Sequence, residues 1–230
     1  MVKASYLGLM DFEQTLGLQE RARDRLIKGE GQEILFLLQH NPVISRGYSE
    51  RGDDCIIESM DRLEDENIPL IQTDRGGGLT YHGPGQLVGY PVLDLQRRRI
   101  RVRDFVEMME NAMVKVLDSY SISAGKREKY PGVWVGKKKL GFVGINVKKG
   151  VTLHGFSLNV NNDLTPFGYI VPCGITDGEI SSMKRIRGSS FSLSDVASRF
   201  VLYFAELLED DIRQVPEEEF LVLAGAGDSR

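Results

Sequence analysis

Between Arg75 and Tyr90 the chain reads Arg-Gly-Gly-Gly-Leu-Thr-Tyr-His-Gly-Pro-Gly-Gln-Leu-Val-Gly-Tyr, with six glycines in sixteen residues. Glycine adopts backbone angles that other residues resist and lets a neighbouring group approach the main chain closely. The stretch therefore fixes a loop that runs into an apolar, strand-like segment from Leu87. Arg75, Thr80, Tyr81 and His82 place polar groups at the rim of that loop. Two readings stand side by side: a pair of glycine-rich turns between strands, or a loop that wraps a ligand. Neither common phosphate motif is present, because no Gly-x-x-x-x-Gly-Lys-Ser/Thr occurs and no G-x-G-x-x-G opens a helix.

The rest of the chain surrounds this loop with ordinary globular sequence. At 230 residues and 25.8 kDa it suits one domain, or two at most, and its 41% hydrophobic and 27% charged content is that of a soluble protein. No apolar run approaches the roughly 20 residues needed to span a bilayer. The start, Met1 to Tyr6, lacks the apolar core of a signal peptide. Two cysteines, Cys55 and Cys173, make no disulfide framework, so a reducing cytoplasm is the expected setting. A net charge of −4 argues against general nucleic-acid binding. Basic clusters occur at Arg97 to Arg103, at Lys137 to Lys139 with Lys148 and Lys149, and at Lys184 to Arg187. Such clusters are ordinarily solvated surface, although they also suit acidic partners.

Periodicity predicts a strand over Tyr6 to Met10, then a helix capped by Asp11 and closed by Gly29 after Lys28. Strands are expected at Glu33 to Leu38, Val43 to Arg46 and Pro69 to Thr73, with a short helix from Ser59 to Asn67. Leu87 to Leu95 reads as a strand that Pro91 makes irregular or confines to an edge. Val102 to Tyr120 carries an i, i+3, i+4 apolar stripe and predicts an amphipathic helix. Strands follow at Val133 to Val135, Lys139 to Val147 and Thr152 to Val160, then a long loop from Asn161 to Thr176. Ser192 or Ser194 caps a last helix through Leu208. From Pro216 the sequence turns acidic and glycine-containing, the expected pattern of a flexible tail over 216–230 beyond a domain of 1–215.

The pattern R-G-G-x-x-T-Y-H-x-x-G-Q-x-V-x-Y in Arg75 to Tyr90 resembles the signature of the lipoyl(octanoyl) transferases, the octanoyl-[acyl-carrier-protein]:protein N-octanoyltransferases. Gly136 to Gly144 resembles that family's lysine-bearing strand. Leu153 to Val160 and Ile170-Val171-Pro172-Cys173-Gly174-Ile175 resemble its nucleophile region. The similarity runs from about residue 5 to residue 210. It implies an α+β single domain of the biotin/lipoate ligase type, with a mixed β-sheet flanked by helices.

The resemblance also implies residue roles. Cys173 would be the acyl-thioester nucleophile and Lys139 its base, or the charge that lowers the thiol pKa. Substrate contacts would come from Arg75, Gly76, Gly77, Gly78, Leu79, Thr80, Tyr81 and His82. Phe142, Val143 and Gly144, with Gly155, Phe156 and Ser157, would complete the set. Octanoyl-acyl-carrier-protein would be the donor, and lipoyl domains of 2-oxoacid dehydrogenases and the glycine-cleavage H protein the acceptors. No metal and no dissociable cofactor would be needed, since a thioester is already activated. Cys55, with Asp53 and Asp54 beside it, reads as structural because acidic neighbours disfavour a thiolate. In a strand, Lys137 and Lys139 would share a face and Lys138 point oppositely. Two competitors remain: an ATP-dependent lipoate or biotin ligase of the same fold, and a non-catalytic acyl- or carrier-binding module. His82 and His154 sit in the glycine-bearing blocks, and both are expected to line or support a pocket.

Overall fold

The computed structural model describes residues 1–48, 56–128, 131–171 and 178–227. Strand β1 (Val2–Met10) leads into helix α1 (Phe12–Lys28), then β2 (Ile34–His40) and β3 (Val43–Arg46). The short α2 (Met60–Asp65) precedes β4 (Leu70–Gln72), β5 (Leu79–His82) and β6 (Gln86–Val92). One-turn α3 (Leu95–Arg98) and long α4 (Val102–Ser119) come next, followed by β7 (Gly125–Lys126), β8 (Val133–Val135), β9 (Lys138–Lys148) and β10 (Val151–Asn159). A 3-10 turn at Thr165–Tyr169 interrupts the following loop. The last elements are β11 (Glu179–Ile180), α5 (Met183–Arg187), α6 (Leu193–Leu208), β12 (Ile212–Gln214) and α7 (Glu217–Leu223).

Among the described residues the main sheet has nine strands, ordered β12-β1-β2-β6-β10-β9-β8-β7, with β11 beside β9. It is mixed: β1 runs parallel to β2 and β12, whereas β2, β6, β10 and β9 pair antiparallel in turn. Helices cover both faces. On one, Phe105, Met109, Ala112 and Met113 of α4 meet Phe200 and Phe204 of α6 over Leu35, Leu87 and Phe156. On the other, Leu18, Ala22 and Leu26 of α1 pack with Phe220 of α7 against Phe36, Val88 and Tyr90. A second sheet, β4-β3-β5, has its own cluster of Ile44, Leu63, Leu79, Tyr81 and Phe167, joined to the main sheet through Phe142. None of the described helices is long and apolar enough to cross a membrane.

Local signals account for many of these boundaries. Asp11 accepts the Gln14 N–H at 2.9 Å to start α1, and Gly29 closes it at φ 77°. Ser192 caps α6 through the Asp195 N–H at 3.3 Å.

Two expectations from sequence are corrected. Of the two alternatives for Pro91, the irregular strand holds and the edge does not: β6 is central, and Pro91 pairs with Leu35 inside it. The missing proline N–H is tolerated because the ladder to β10 is interrupted there: the paired residues stop at Gly89 and Phe156. The Thr152 hydroxyl takes over, donating to Pro91 O at 2.6 Å and accepting the Leu93 N–H at 2.9 Å. Gly155 leaves room for the ring, since a side chain there would meet Pro91 Cδ at 2.7 Å and collide with Gly89 O.

The expected tail is the second correction. Residues 217–223 form α7, and Phe220 is fully buried edge-on to Phe36 with centroids 4.9 Å apart. Glu217, Glu218 and Glu219 look like a solvated run, but acidic residues in a first helical turn complement its positive end. Burial of one phenylalanine, worth roughly 1.5–3 kcal/mol, then holds the helix down.

Candidate active site

The glycine loop is drawn down onto both sheets. Arg75 is buried, and its guanidinium donates to Ser45 O at 2.7 Å, Ser45 Oγ at 3.0 Å, Gly78 O at 2.7 Å and Gly76 O at 3.1 Å. A residue expected at the rim thus staples the loop to β3 from within. The Gly76 N–H donates to Ile145 O at 2.9 Å, which seats the loop on β9. This approach requires Gly144, where a side chain would meet Gly76 O at 2.8 Å.

Beneath the loop lies a cavity between the two sheets. Its walls are Gly76, Gly77, Thr80 and His82 from the loop and β5, Lys139, Phe142, Val143 and Gly144 from β9, and His154, Gly155, Phe156 and Ser157 from β10. Phe12, Ser45, Arg75 and Tyr90 complete them.

Lys139 reaches this cavity because β9 is bulged. Val133 pairs with Gly141 but the next residue, Trp134, pairs with Lys139, so β9 carries an extra residue there. Regular alternation would put Lys139 on the α4 side with Gly141, whose absent side chain would touch Met113 at 3.0 Å. The bulge instead sends Leu140 into the α4 core and turns Lys139 to the Phe142 side. There Lys139 is 4% exposed, with Nζ 4.7 Å from the Phe142 ring centroid and 5.5 Å from that of Trp134. Both rings favour a cation at that position. Gly132 makes space for the stem, since a side chain there would meet Lys139 Cε at 2.7 Å. The neighbouring Glu110 accepts the Gly132 N–H at 2.6 Å, and burial raises its carboxyl pKa. Lys137 lies in the β8–β9 turn and is exposed, and Lys138 forms a 3.5 Å surface ion pair with Glu179. Of the lysine triplet only Lys139 enters the cavity wall.

The three histidines divide into two arrangements. His154 holds an unusual φ of 59°, its backbone N–H donates to Gln19 Oε1 at 3.0 Å, and its Nε2 lies 2.8 Å from Asp74 Oδ1. Burial lowers its pKa despite Asp74, while the His154 contact lowers that of Asp74, so a neutral ring donates to an ionised carboxylate. That bond ties β10 to the residue preceding the glycine loop. His40 and His82 lie 5.8 Å apart, and Phe12 packs against both. Burial pushes His40 down to about 4 and His82 down to about 3, so both are neutral near pH 7. Among the described residues no group of three His, Cys, Asp or Glu side chains could hold a metal ion.

The model of the lipoyl protein ligase A/B catalytic domain matches residues 11–205. The chain belongs to that family. An octanoyltransferase from Alkaliphilus metalliredigens is 39% identical over 212 residues, covering 92% of this chain and 97% of that protein. Among solved structures, lipoate-protein ligase A bound with ATP superposes with a TM-score of 0.72 at 20% identity, covering 98% of this chain and 93% of the other. Biotin protein ligase from Aquifex aeolicus in complex with biotin and ATP superposes with a TM-score of 0.56 at 14% identity, covering 90% and 70% respectively. These structural likenesses establish the shared α+β fold expected from sequence.

Within this lipoyl ligase A/B fold, the residues singled out from sequence are distributed unevenly. Thirteen of them line the cavity: Arg75, Gly76, Gly77, Thr80, His82, Lys139, Phe142, Val143, Gly144, His154, Gly155, Phe156 and Ser157. Gly78, Leu79 and Tyr81 do not, because Leu79 and Tyr81 face the core of the small sheet. Phe12, Ser45 and Tyr90 were missed. Tyr90 had a signal, as the last residue of the glycine motif, whereas Phe12 and Ser45 had none. Cys173 and Cys55 lie outside the described residues.

Proposed function

We propose that this chain is an octanoyltransferase that moves an octanoyl group from a carrier thioester to a lysine amine through an acyl-Cys173 intermediate. The observation that carries the reading is Lys139, an amine 4% exposed in the wall of a cavity roofed by the Arg75–His82 loop. The octanoyltransferase name of a 39% identical relative, matched over nearly its whole length, supports the substrate. Cys173 belongs to the segment that precedes β11, and β11 is fixed beside Lys139 by the Ser181 N–H to Lys139 O bond at 2.9 Å.

In the first half-reaction Lys139 accepts the Cys173 thiol proton, and the thiolate attacks the carbonyl carbon of octanoyl-acyl-carrier-protein. The carbon–sulfur bond to the carrier breaks, its sulfur leaves with the electron pair, and Lys139 returns the proton to it. In the second, the amine of a lipoyl domain or the glycine-cleavage H protein attacks the octanoyl-Cys173 carbon. A carbon–nitrogen bond forms and the carbon–sulfur bond breaks. Lys139 passes one amine proton to the departing Cys173 sulfur. Backbone N–H groups of the glycine loop are suited to hold the transient oxyanion. Phe142, Val143, Gly155 and Phe156 offer apolar surface to the acyl chain. The expected setting is the cytoplasm, from the two-cysteine composition.

The test is intact-mass analysis after mixing the protein with octanoyl-acyl-carrier-protein, without ATP or magnesium. A gain of one octanoyl group, discharged by a lipoyl domain, is expected. Dependence on ATP with free octanoate or lipoate, and no acyl-cysteine adduct, would assign a ligase chemistry instead.

A further inference from the structure

A buried chain of side-chain amides behind the cavity settles which nitrogen of His82 carries its proton. Asn159, fully buried at the end of β10, donates from Nδ2 to Ser181 O at 3.0 Å. A backbone carbonyl only accepts, so this bond fixes the orientation of the amide and turns Oδ1 toward Gln86. Gln86, also fully buried, donates from Nε2 to Asn159 Oδ1 at 2.9 Å and to Tyr81 O at 3.1 Å. Both of its amide protons are then used, and only Oε1 remains to face His82 Nδ1 at 2.7 Å. His82 Nδ1 must be the donor in that contact. The neutral ring therefore presents Nε2 as a bare lone pair.

That lone pair belongs to the cavity. His82 is 6% exposed, lines the cavity wall, and has no hydrogen bond at Nε2 among the described residues. Thr80, two residues earlier on β5 and so on the same face, also lines the cavity, and its buried hydroxyl likewise has no partner there. Buried polar groups are nearly always satisfied, so the orphaned Thr80 hydroxyl beside the His82 lone pair in one cavity marks a polar contact supplied by a ligand.

We infer that His82 Nε2 is the hydrogen-bond acceptor for an N–H of the attacking amine, and that Gln86 and Asn159 are positioning residues that set its tautomer. The inference rests on the two-step transfer proposed above. An apolar acyl chain offers no donor for this nitrogen, whereas the primary amine does. A hydrogen bond from one N–H to Nε2 aims the amine lone pair while the other proton leaves toward Lys139 as the carbon–nitrogen bond forms. Burial keeps His82 from holding that proton itself, which leaves proton transfer to Lys139.

The experiment has two arms on the full-length protein. Long-range proton–nitrogen NMR of protein labelled with ¹⁵N-histidine, with His82 assigned by a His82→Phe difference spectrum, reads the tautomer directly. Protonated Nδ1 and bare Nε2 are expected, with Gln86→Met losing that single tautomer and Asn159→Asp, whose carboxylate still accepts from Gln86 Nε2, keeping it. A protonated Nε2 in the parent overturns the inference. The second arm times self-acylation by octanoyl-acyl-carrier-protein separately from discharge of the isolated acyl-enzyme onto a lipoyl domain. His82→Phe and Gln86→Met should slow discharge about tenfold more than self-acylation, the scale of one lost hydrogen bond. Equal slowing of both steps overturns the amine contact as well. Asn159→Asp retains the shape and the acceptor for Gln86, so loss of the single tautomer there overturns the relay, and the parent spectrum decides the tautomer even if the bulkier changes fail to fold. Failure of the parent to form any acyl-enzyme refutes the transfer mechanism, and with it the amine contact, while the tautomer is still decided by the spectrum.

Discussion

Replacing Lys139 by methionine separates its chemistry from its packing. Methionine keeps an unbranched stem of similar volume between Trp134 and Phe142 and removes only the amine. If Lys139 relays protons in both half-reactions, octanoyl transfer should fall by the range typical of a lost general base, about 10²–10⁴-fold. At 1.36 kcal/mol per decade that is about 2.7–5.4 kcal/mol of transition-state stabilisation. Stability should move little or rise. The two ring contacts at 4.7 and 5.5 Å contribute on the order of 0.5–2 kcal/mol each if Nζ is charged. Desolvating an ammonium costs several kcal/mol in the other direction. Melting temperature and octanoyl transfer from octanoyl-acyl-carrier-protein to a lipoyl domain are measured on one preparation. A folded Lys139→Met protein with transfer within about tenfold of the parent, short of the general-base range, would refute the proposed role. Lys137→Met and Lys138→Met provide the contrast: both residues face solvent, and each change should alter stability by no more than about 0.5 kcal/mol.

Cys173→Ala should abolish formation of the octanoyl-enzyme adduct seen by mass, while Cys55→Ala should retain it; loss in both or in neither removes the nucleophile assignment. Phe220→Ala should cost about 3–5 kcal/mol in chemical denaturation, as for other buried phenylalanines, and a loss near zero would restore the flexible-tail reading. Stability should also fall on acidification below neutral pH. His40 and His82 have folded pKa values of about 4 and about 3 against 6.5 unfolded, so below 6.5 the unfolded chain takes up protons that the folded chain refuses. Their contribution is complete above 6.5, and by pH 5 about 2 kcal/mol is lost for each. Denaturation midpoints that stay flat from pH 7 to 5 would contradict the buried neutral assignment.

Elements whose boundaries rest on local chemistry were legible in the sequence. Asp11 and Gly29 frame α1, Ser192 opens α6, and the stripe from Phe105 to Leu117 gives the buried face of α4. Pro91 misled because its tolerance depends on Thr152 and Gly155, some sixty residues away in sequence but adjacent in the sheet. Phe220 misled because three glutamates mask the apolar anchor that follows them. The glycine loop left plain turns and a ligand-wrapping loop equally open, and nothing local revealed that Arg75 would turn inward to Ser45. Lys139 was picked out from two neighbouring lysines by family resemblance alone. Alternation places Lys137 and Lys139 together, and only the pairing of β9 with β8 shows that the strand is out of step at Leu140.

The offset in β9 lets a single strand answer to two unrelated constraints. Beyond Leu140, the residues facing α4 are selected for how they fill space against Met113 and Val133. The residue just before it is selected for where an amine sits relative to the cavity. Flattening the offset with every residue kept would restore regular pleating and carry Lys139 to the far side of the sheet, whereas removing Leu140 would leave Lys139 opposite Trp134 on the cavity side. Which face of the sheet carries the amine is therefore decided by residue spacing along β9 and not by the chemistry of its neighbours.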